Sequence, residues 1–452
     1  MCTRENKEQR RLLSYRWLIF SILAIGYALV YFHRVAPAAV ASELTKSFAI
    51  KGAALGALAS AYFYPYALMQ LPSGLLSDSL GPKKTVTIFT LIAAFGAILF
   101  GLSPTFSTAI IGRTMIGLGT AVLFIPTLKI LTNWFEKERF AMVTGFLMAI
   151  GGVGWLSAAT PLVSLTLWIG WRTTFIIMGC LGLVLAVLIY LIVKDRPSRI
   201  LNLKNSHPKV SNLSFSGRKQ LSLSMGVKIV LSEKKFWPLA IWFFCTGSIL
   251  FGFGGLWAGP YLVQVYNLSK TQTGNILIMI ALGMIGGSPL LGYLSEKVFR
   301  ARKPVLLVSS SIITGIWVLL IFYIDGLNIP CLYVLFVLLG IFGSGIFAIG
   351  FTVTKELFPV QIVGTSTGIV NILPFTGGAL FQLLIGLVLD YSGRLTTYPA
   401  QAYRIAFVGF LAAAILALIS ALFLRETFSY QFQRQTSTAG TLPPPYFRGR
   451  RF

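Results

Sequence analysis

The sequence predicts an all-α, polytopic membrane protein of twelve transmembrane helices, arranged as two six-helix bundles related by pseudo-symmetry. Three observations carry that prediction. The 452-residue chain is 56% apolar and only 11% charged, with a mean hydropathy of +0.78. A soluble domain of that length needs far more charge to cover its surface. Its apolar residues fall in long, nearly uncharged runs, and runs of about 18 or more read as membrane-spanning helices, unlike the short alternating strands of a barrel. The second half of the chain then repeats junction sequences of the first half in the same order.

Taken in order, a polar segment over 1–15 leads into span 1, Arg16–Ala41. Its end, Ala39-Val40-Ala41, imitates a cleaved signal. The run is too long for one, carries Arg34 and precedes eleven further spans, so it reads as an uncleaved first helix. Spans 2 to 6 follow at Ala53–Leu76, Thr85–Ser103, Ser107–Asn133, Phe140–Thr166 and Arg172–Val193, completing an N-terminal bundle over 16–193. Residues 194–235 are polar and basic and read as a central linker. Spans 7 to 12 then run Trp237–Val263, Thr271–Leu294, Pro304–Asp325, Pro330–Lys355, Val363–Asp390 and Gln401–Leu424, a C-terminal bundle over 236–424. In the tail over 425–452, Pro443-Pro444-Pro445-Tyr446 matches the proline–tyrosine pattern of WW-domain ligands. The plainer reading is a tail with chance prolines.

The net charge of +25 raises the question of nucleic acid, and its placement answers it. Most Lys and Arg fall in alternate loops and both tails. The opposite loops hold Lys46, Lys51, Arg172, Lys270, Arg394 and Arg404. This bias predicts cytoplasmic termini, an inner-membrane location and contact with anionic headgroups of the bilayer, with no nucleic-acid partner. The four cysteines show neither metal-ligand nor disulfide spacing. With two histidines in the chain, His33 and His207, no nucleophile–base pair, metal set or phosphate loop forms. No enzyme, metal or cofactor is expected.

The internal repeat is specific. Gly74-Leu75-Leu76-Ser77-Asp78 has its counterpart in Gly292-Tyr293-Leu294-Ser295-Glu296. Lys129, Trp134-Phe135 and Thr144-Gly145 are echoed by Lys355, Leu357-Phe358 and Thr367-Gly368. Trp171-Arg172 is echoed by Tyr403-Arg404. Two such units imply an axis along the membrane normal, with a solute site between them near the midplane.

Gly74 to Lys84, with Gly74, Asp78, Gly81, Lys83 and Lys84, resembles the loop 2–3 motif of the major facilitator superfamily, and Arg113-Thr114-Met115-Ile116-Gly117-Leu118-Gly119 resembles its helix 4 motif. The resemblance covers almost the whole chain. It implies alternating access, with the cluster at Gly74, Asp78, Gly81, Lys83 and Lys84, and its echo at Gly292 and Glu296, latching the halves in one gating state. The plainer reading is a helix end with topology charges. Gly26-Tyr27 through Tyr31-Phe32-His33-Arg34 is similar to the organic-anion and organophosphate branches, where an Arg of helix 1 contacts the anionic group of the solute. Two positions depart from those branches. His33 stands where the anion symporters often carry an acid, and Thr120 where they often carry Glu, so their proton coupling does not carry over.

Within the spans three strong charges stand out: Arg34, Arg113 and Lys129. A charge at bilayer depth costs about 2.5–3.5 kcal/mol or more, and every carboxylate falls near a helix end or in a loop. Three cations without acidic partners suggest a cavity filled by an anionic or carboxylate-bearing solute. Arg34 is the best candidate contact, because guanidinium forks onto a carboxylate; its bland alternative is snorkelling. Arg113 reads first as a brace to backbone carbonyls of span 1 or 2, and second as a solute contact. Lys129, near the end of span 4, can also snorkel. His33 is either a coupling group or a hydrogen-bonded helix residue. Tyr27 and Tyr31, then Tyr62, Tyr66 and Gln70, recur at helical spacing and are candidate lining residues, with Asn371 and Trp257. Aromatics at that spacing more often simply pack.

The expected function is therefore secondary transport of a small organic anion. Symport with a proton and exchange against an internal anion are both compatible. A multidrug or metabolite exporter is the rival within the class; span 5, with Gly151-Gly152-Val153-Gly154, lacks the antiporters' full Gly-Pro pattern. A non-transporting membrane sensor on the same scaffold is the rival outside it.

Overall fold

The computed structural model describes residues 2–197, 223–345, 349–359, 362–392 and 397–428, with only the backbone of residues 2–13, 137, 138, 141 and 223. His207, Arg394 and the Pro443–Tyr446 run lie outside the described residues. Among those described there is no strand. Among the described residues nine helices are long and apolar enough to cross a membrane, and a pair bent by 42°, Met142–Ser157 with Thr160–Ile169, is so when taken together. They correspond to spans 1, 3, 4, 6, 7, 8, 9, 11 and 12, and the bent pair to span 5.

Span 1 is one helix, Cys2–Phe48, longer at both ends than expected; it stops where Ala49 turns to φ 50°. Span 2 departs most from a plain crossing. It is three short helices, Gly52–Ser60, Phe63–Leu68 and Pro72–Ser79. Pro65 and Pro72 each lack the N–H that would bond the carbonyl four residues back, which weakens the run beside its breaks at 61–62 and 69–71. Pro161 opens the second limb of span 5, bent by 42°. Pro126 sits just past a break in span 4, between Phe106–Ala121 and Phe124–Trp134. Pro374 lies within a continuous helix, Val363–Ser392. Span 10 is also in pieces, Ile329–Gly343 and Phe351–Leu357, with 346–348 outside the described residues. Span 7 carries a ten-residue π-helical stretch, Ser248–Trp257, over its Gly252-Phe253-Gly254-Gly255 run. Wide π turns of this kind concentrate at functional positions.

The halves meet along paired helices: span 2 packs on span 11, span 1 on span 7, and span 5 on span 8. Spans 2 and 11 touch backbone to backbone, since a Cβ at Gly56 would lie 2.2 Å from the Gln382 carbonyl oxygen. The seam is not closed along its whole length. Towards the face that carries the Lys- and Arg-rich loops (the basic face), Gly74, Gly145, Gly292 and Gly364 have open space where a side chain would point. Among the described residues the polar contacts between the bundles, Gly52 and Ala53 to Asp390, Lys270 to Glu43, Thr160 to Asn275 and Asn371 to Gln70, lie at the far face and mid-seam, and the polar clusters of the basic face bond within their own halves.

Candidate solute site and gates

Arg34 lies in the seam. It is 2% exposed, and its guanidinium is enclosed by aromatic rings from both halves. The carbon Cζ stands 4.5 Å from the ring centre of Tyr31, 4.8 Å from Tyr66 and from Phe375, and 5.4 Å from Phe251. Tyr66 and Phe375 meet at 4.4 Å, and Phe251 stacks on Phe375 at 5.2 Å and on Trp155 at 6.2 Å. Nε is buried without a hydrogen-bond partner. The ion pairs among the described residues, Lys129–Asp78, Arg139–Glu136, Lys270–Glu43, Arg302–Glu296 and Arg302–Glu356, leave Arg34 out. A desolvated cation–π contact contributes about 2 kcal/mol, whereas burying an ion costs several. The rings offset part of that cost and leave the positive charge without a counter-charge. They also occlude it from solvent.

Other candidates sit around this cage in different roles. Tyr27 packs against Tyr31 at 5.3 Å and stacks on Phe124, its hydroxyl 3.5 Å from Met148 Sδ. Tyr62 stacks on Tyr66 at 5.6 Å; its hydroxyl donates to the Val30 carbonyl and accepts from Thr120. Gln70 accepts from Asn371 Nδ2 at 2.6 Å, a direct bond across the seam next to the cage.

Four candidates lie elsewhere. Arg113, 1% exposed, donates to the carbonyls of His33 at 2.8 Å and Ala59 at 3.5 Å, tying span 4 to spans 1 and 2 inside the N-terminal bundle. Arg113→Ala would take a donor from two buried carbonyls and open a cavity. It should lower the melting temperature markedly, by about 3 kcal/mol of stability, while the folded fraction keeps its solute affinity; thermal unfolding with a binding titration checks both. His33 turns its ring away from the seam, against Phe32 and Phe175, beside a void of about 20 Å³ that it lines with Thr90 and Thr120. Lys129 corrects the picture of three unpaired cations. Its ammonium pairs with Asp78 and donates to the Ser77 carbonyl at 3.3 Å, so it belongs to the basic-face cluster. Trp257 donates to the Gln382 carbonyl at 3.0 Å, and its indole is not part of the cage.

The expected gating residues form two matching clusters, each bonded within its own half. In the N-terminal half Gly81 takes φ +85°, a left-handed conformation that favours glycine, and starts the helix Pro82–Leu102. Asp195, just after span 6, accepts from the Lys83 backbone N–H at 2.8 Å, and the Lys83 ammonium lies 5.2 Å from the Tyr190 ring. Lys84 is exposed, and Gly74 faces open space. Ser77, Asp78, Gly81, Lys129, Asn133, Asp195 and Arg196 surround a hollow of about 420 Å³. In the C-terminal half Gly292 faces open space, and Arg302 pairs with Glu356 at 3.1 Å and with Glu296 at 3.7 Å. Glu426, just after span 12, accepts from the backbone N–H groups of Arg302 and Lys303. Each cluster bonds within its own half among the described residues, so the latch implied between the halves is not made in this conformation.

Burial pushes the Glu426 carboxyl up, but the backbone N–H groups of Arg302, Phe428, Lys303 and Thr427 outweigh it and hold it below its ordinary value. The stability it adds is then present above the ordinary carboxylate range of about 4–4.5 and lost as pH falls through the lowered value. The melting-temperature gap between the native chain and Glu426→Gln should be widest at pH 7 and should shrink towards pH 3.

The far face holds a closure that sequence reasoning did not assign. The Asp390 carboxylate accepts from the backbone N–H groups of Gly52 and Ala53, both at 2.8 Å, at the N-terminus of the first helix of span 2. Tyr398 bonds Asp390 and accepts from Gly52 N–H at 2.8 Å. Lys270 pairs with Glu43 across the same seam. The only sequence signal was an acid at the end of span 11, 338 residues from the helix it caps.

Comparison with known proteins gives the frame for this geometry. The chain is 27% identical to "Probable galactarate/D-glucarate transporter GarP" of Escherichia coli, over 92% of this chain and 96% of that one. It is 25% identical to a "D-galactonate transporter" of Escherichia coli, over 92% and 94%. Its fold matches the crystal structure of a bacterial homolog of the human lysosomal transporter Spinster, in an inward-facing and unoccupied conformation, with TM-score 0.70 and 18% identity, over 95% of this chain and 99% of that one. The family model described as Major Facilitator Superfamily matches residues 23–297 and 251–449, and the chain belongs to that superfamily.

Proposed function

We propose that the chain is an alternating-access permease for a small polyhydroxylated carboxylate, a sugar acid, and that Arg34 holds the carboxylate. One observation carries the reading: a fully buried guanidinium in the seam, without an acidic partner among the described residues, enclosed by rings from both bundles. A carboxylate offers two acceptors to the guanidinium fork and neutralises it. Tyr31, Tyr66, Gln70 and Asn371 supply hydroxyl and amide groups nearby for the solute's hydroxyls. The names of the relatives, transporters of galactarate, D-glucarate and D-galactonate, support the same class.

Rocking the bundles moves access from one face to the other. With the basic face cytoplasmic, as the charge bias predicts, this conformation opens inward. The test is a flux assay. The purified chain in liposomes should take up labelled D-glucarate or D-galactonate and ignore lipophilic cations. Uptake of lipophilic cations without sugar acids would point to an exporter instead, and saturable binding without flux to a sensor.

A further inference from the structure

Phe251 is the ring that span 7 contributes to the cage, and it stands on a π-helical stretch, a backbone that needs a reason to hold one shape. Gln382 of span 11 supplies that reason. It is fully buried, and its Nε2 donates to the Phe251 carbonyl at 3.0 Å. Its own backbone carbonyl accepts from the Trp257 indole at 3.0 Å, so one residue grips the π stretch near its middle and at its end. Gly255, in the same stretch, leaves room for the amide: a Cβ there would lie 3.3 Å from Gln382 Nε2. The amide keeps this bond although its Oε1 is buried without a partner. Span 2 closes over the same point, with Gly56 against the Gln382 carbonyl.

We propose that Gln382 is a positioning residue for the solute site: it never touches the solute, and it seats Phe251 over Arg34 by pinning the π stretch of span 7. The inference rests on the sugar-acid reading above and adds a residue to it. Its consequence is that Gln382 sets solute affinity through Phe251.

The experiment uses the full chain with D-glucarate as probe. Gln382→Met keeps length and burial but has no donor. Gly255→Ala keeps Gln382 but crowds its amide. Each should weaken the apparent KM for D-glucarate about five- to tenfold, the scale of one buried hydrogen bond, with the maximal rate within about twofold. Phe251→Leu should weaken it similarly, and Gln382→Met added to Phe251→Leu should cost nothing more, because the two changes remove one device. Amide hydrogen exchange over 248–257, read without solute, should speed up in Gln382→Met. Additive effects in the double variant, a fall in maximal rate at unchanged KM, or unaltered exchange would each overturn the proposal. If the native chain handles no sugar acid, or Arg34→Ala handles it normally, the reading beneath has failed; the exchange measurement still decides whether Gln382 pins the π stretch.

Discussion

Replacing Arg34 with alanine should weaken binding of sugar acids by more than about a factor of ten and leave the fold at least as stable as before. Truncating one partner of a buried, hydrogen-bonded charge pair costs about 2–5 kcal/mol, a factor of about thirty to several thousand in affinity. Arg34→Lys should recover part of that, because ammonium keeps the charge and loses the fork. The stability effect runs the other way. In the unloaded protein the guanidinium is buried with rings around it and no counter-charge among the described residues, so Arg34→Met should raise the melting temperature of the empty carrier. D-glucarate should then stabilise the native chain and fail to stabilise the variant. Arg113→Ala carries the opposite signature, lower stability with affinity intact, because its nitrogens hold the carbonyls of His33 and Ala59. A variant of Arg34 that still binds sugar acids tightly would remove the anchor from the site.

The second large effect belongs to the far face. Asp390→Ala removes the carboxylate that accepts from Gly52 and Ala53 and that bonds Tyr398. Hydrogen bonds to a charged group contribute about 1.5–3 kcal/mol each, and the acid also faces the positive end of a helix dipole. Losing about 3–5 kcal/mol from one state moves a two-state equilibrium by a factor of about a hundred to several thousand. The bundles should part at the far face and close at the basic face. Spin labels at Lys51→Cys and Tyr391→Cys, two exposed positions on opposite halves, would report this as a longer distance once the native cysteines are replaced. Gly56→Leu should move the distance the same way, by wedging span 2 off the Gln382 carbonyl. An unchanged distance distribution in both variants would show that closure depends on other contacts.

What the sequence revealed, and what it hid, follows from what each signal measures. Hydropathy registers apolar content, so it located the nine long apolar helices and the bent pair among the described residues; it is blind to hydrogen-bond continuity, so it missed that span 2 is three short helices, broken at 61–62 and 69–71. Arg34 was legible because a charge inside an apolar run is costly wherever it points. Phe251 and Phe375 were not, because a phenylalanine in an apolar helix reads the same whether it faces lipid or seam. Lys129 is half legible: its place near the end of span 4 allows the snorkelling read from the sequence, but its partner Asp78, 51 residues away at the end of a different span, carries no local signal. Asp195, Glu426 and Asp390 cap helices far from them in sequence, and no local pattern marks such a bond.

The lone guanidinium in the seam also has an electrical meaning. A carrier loaded with a singly charged acid would move no net charge, whereas the empty carrier would move one elementary unit. Moving that unit through a full membrane potential is worth about 2.3 kcal/mol per 100 mV. Voltage would then act on the unloaded return and spare the loaded crossing, resting empty carriers with their mouths turned to the negative side.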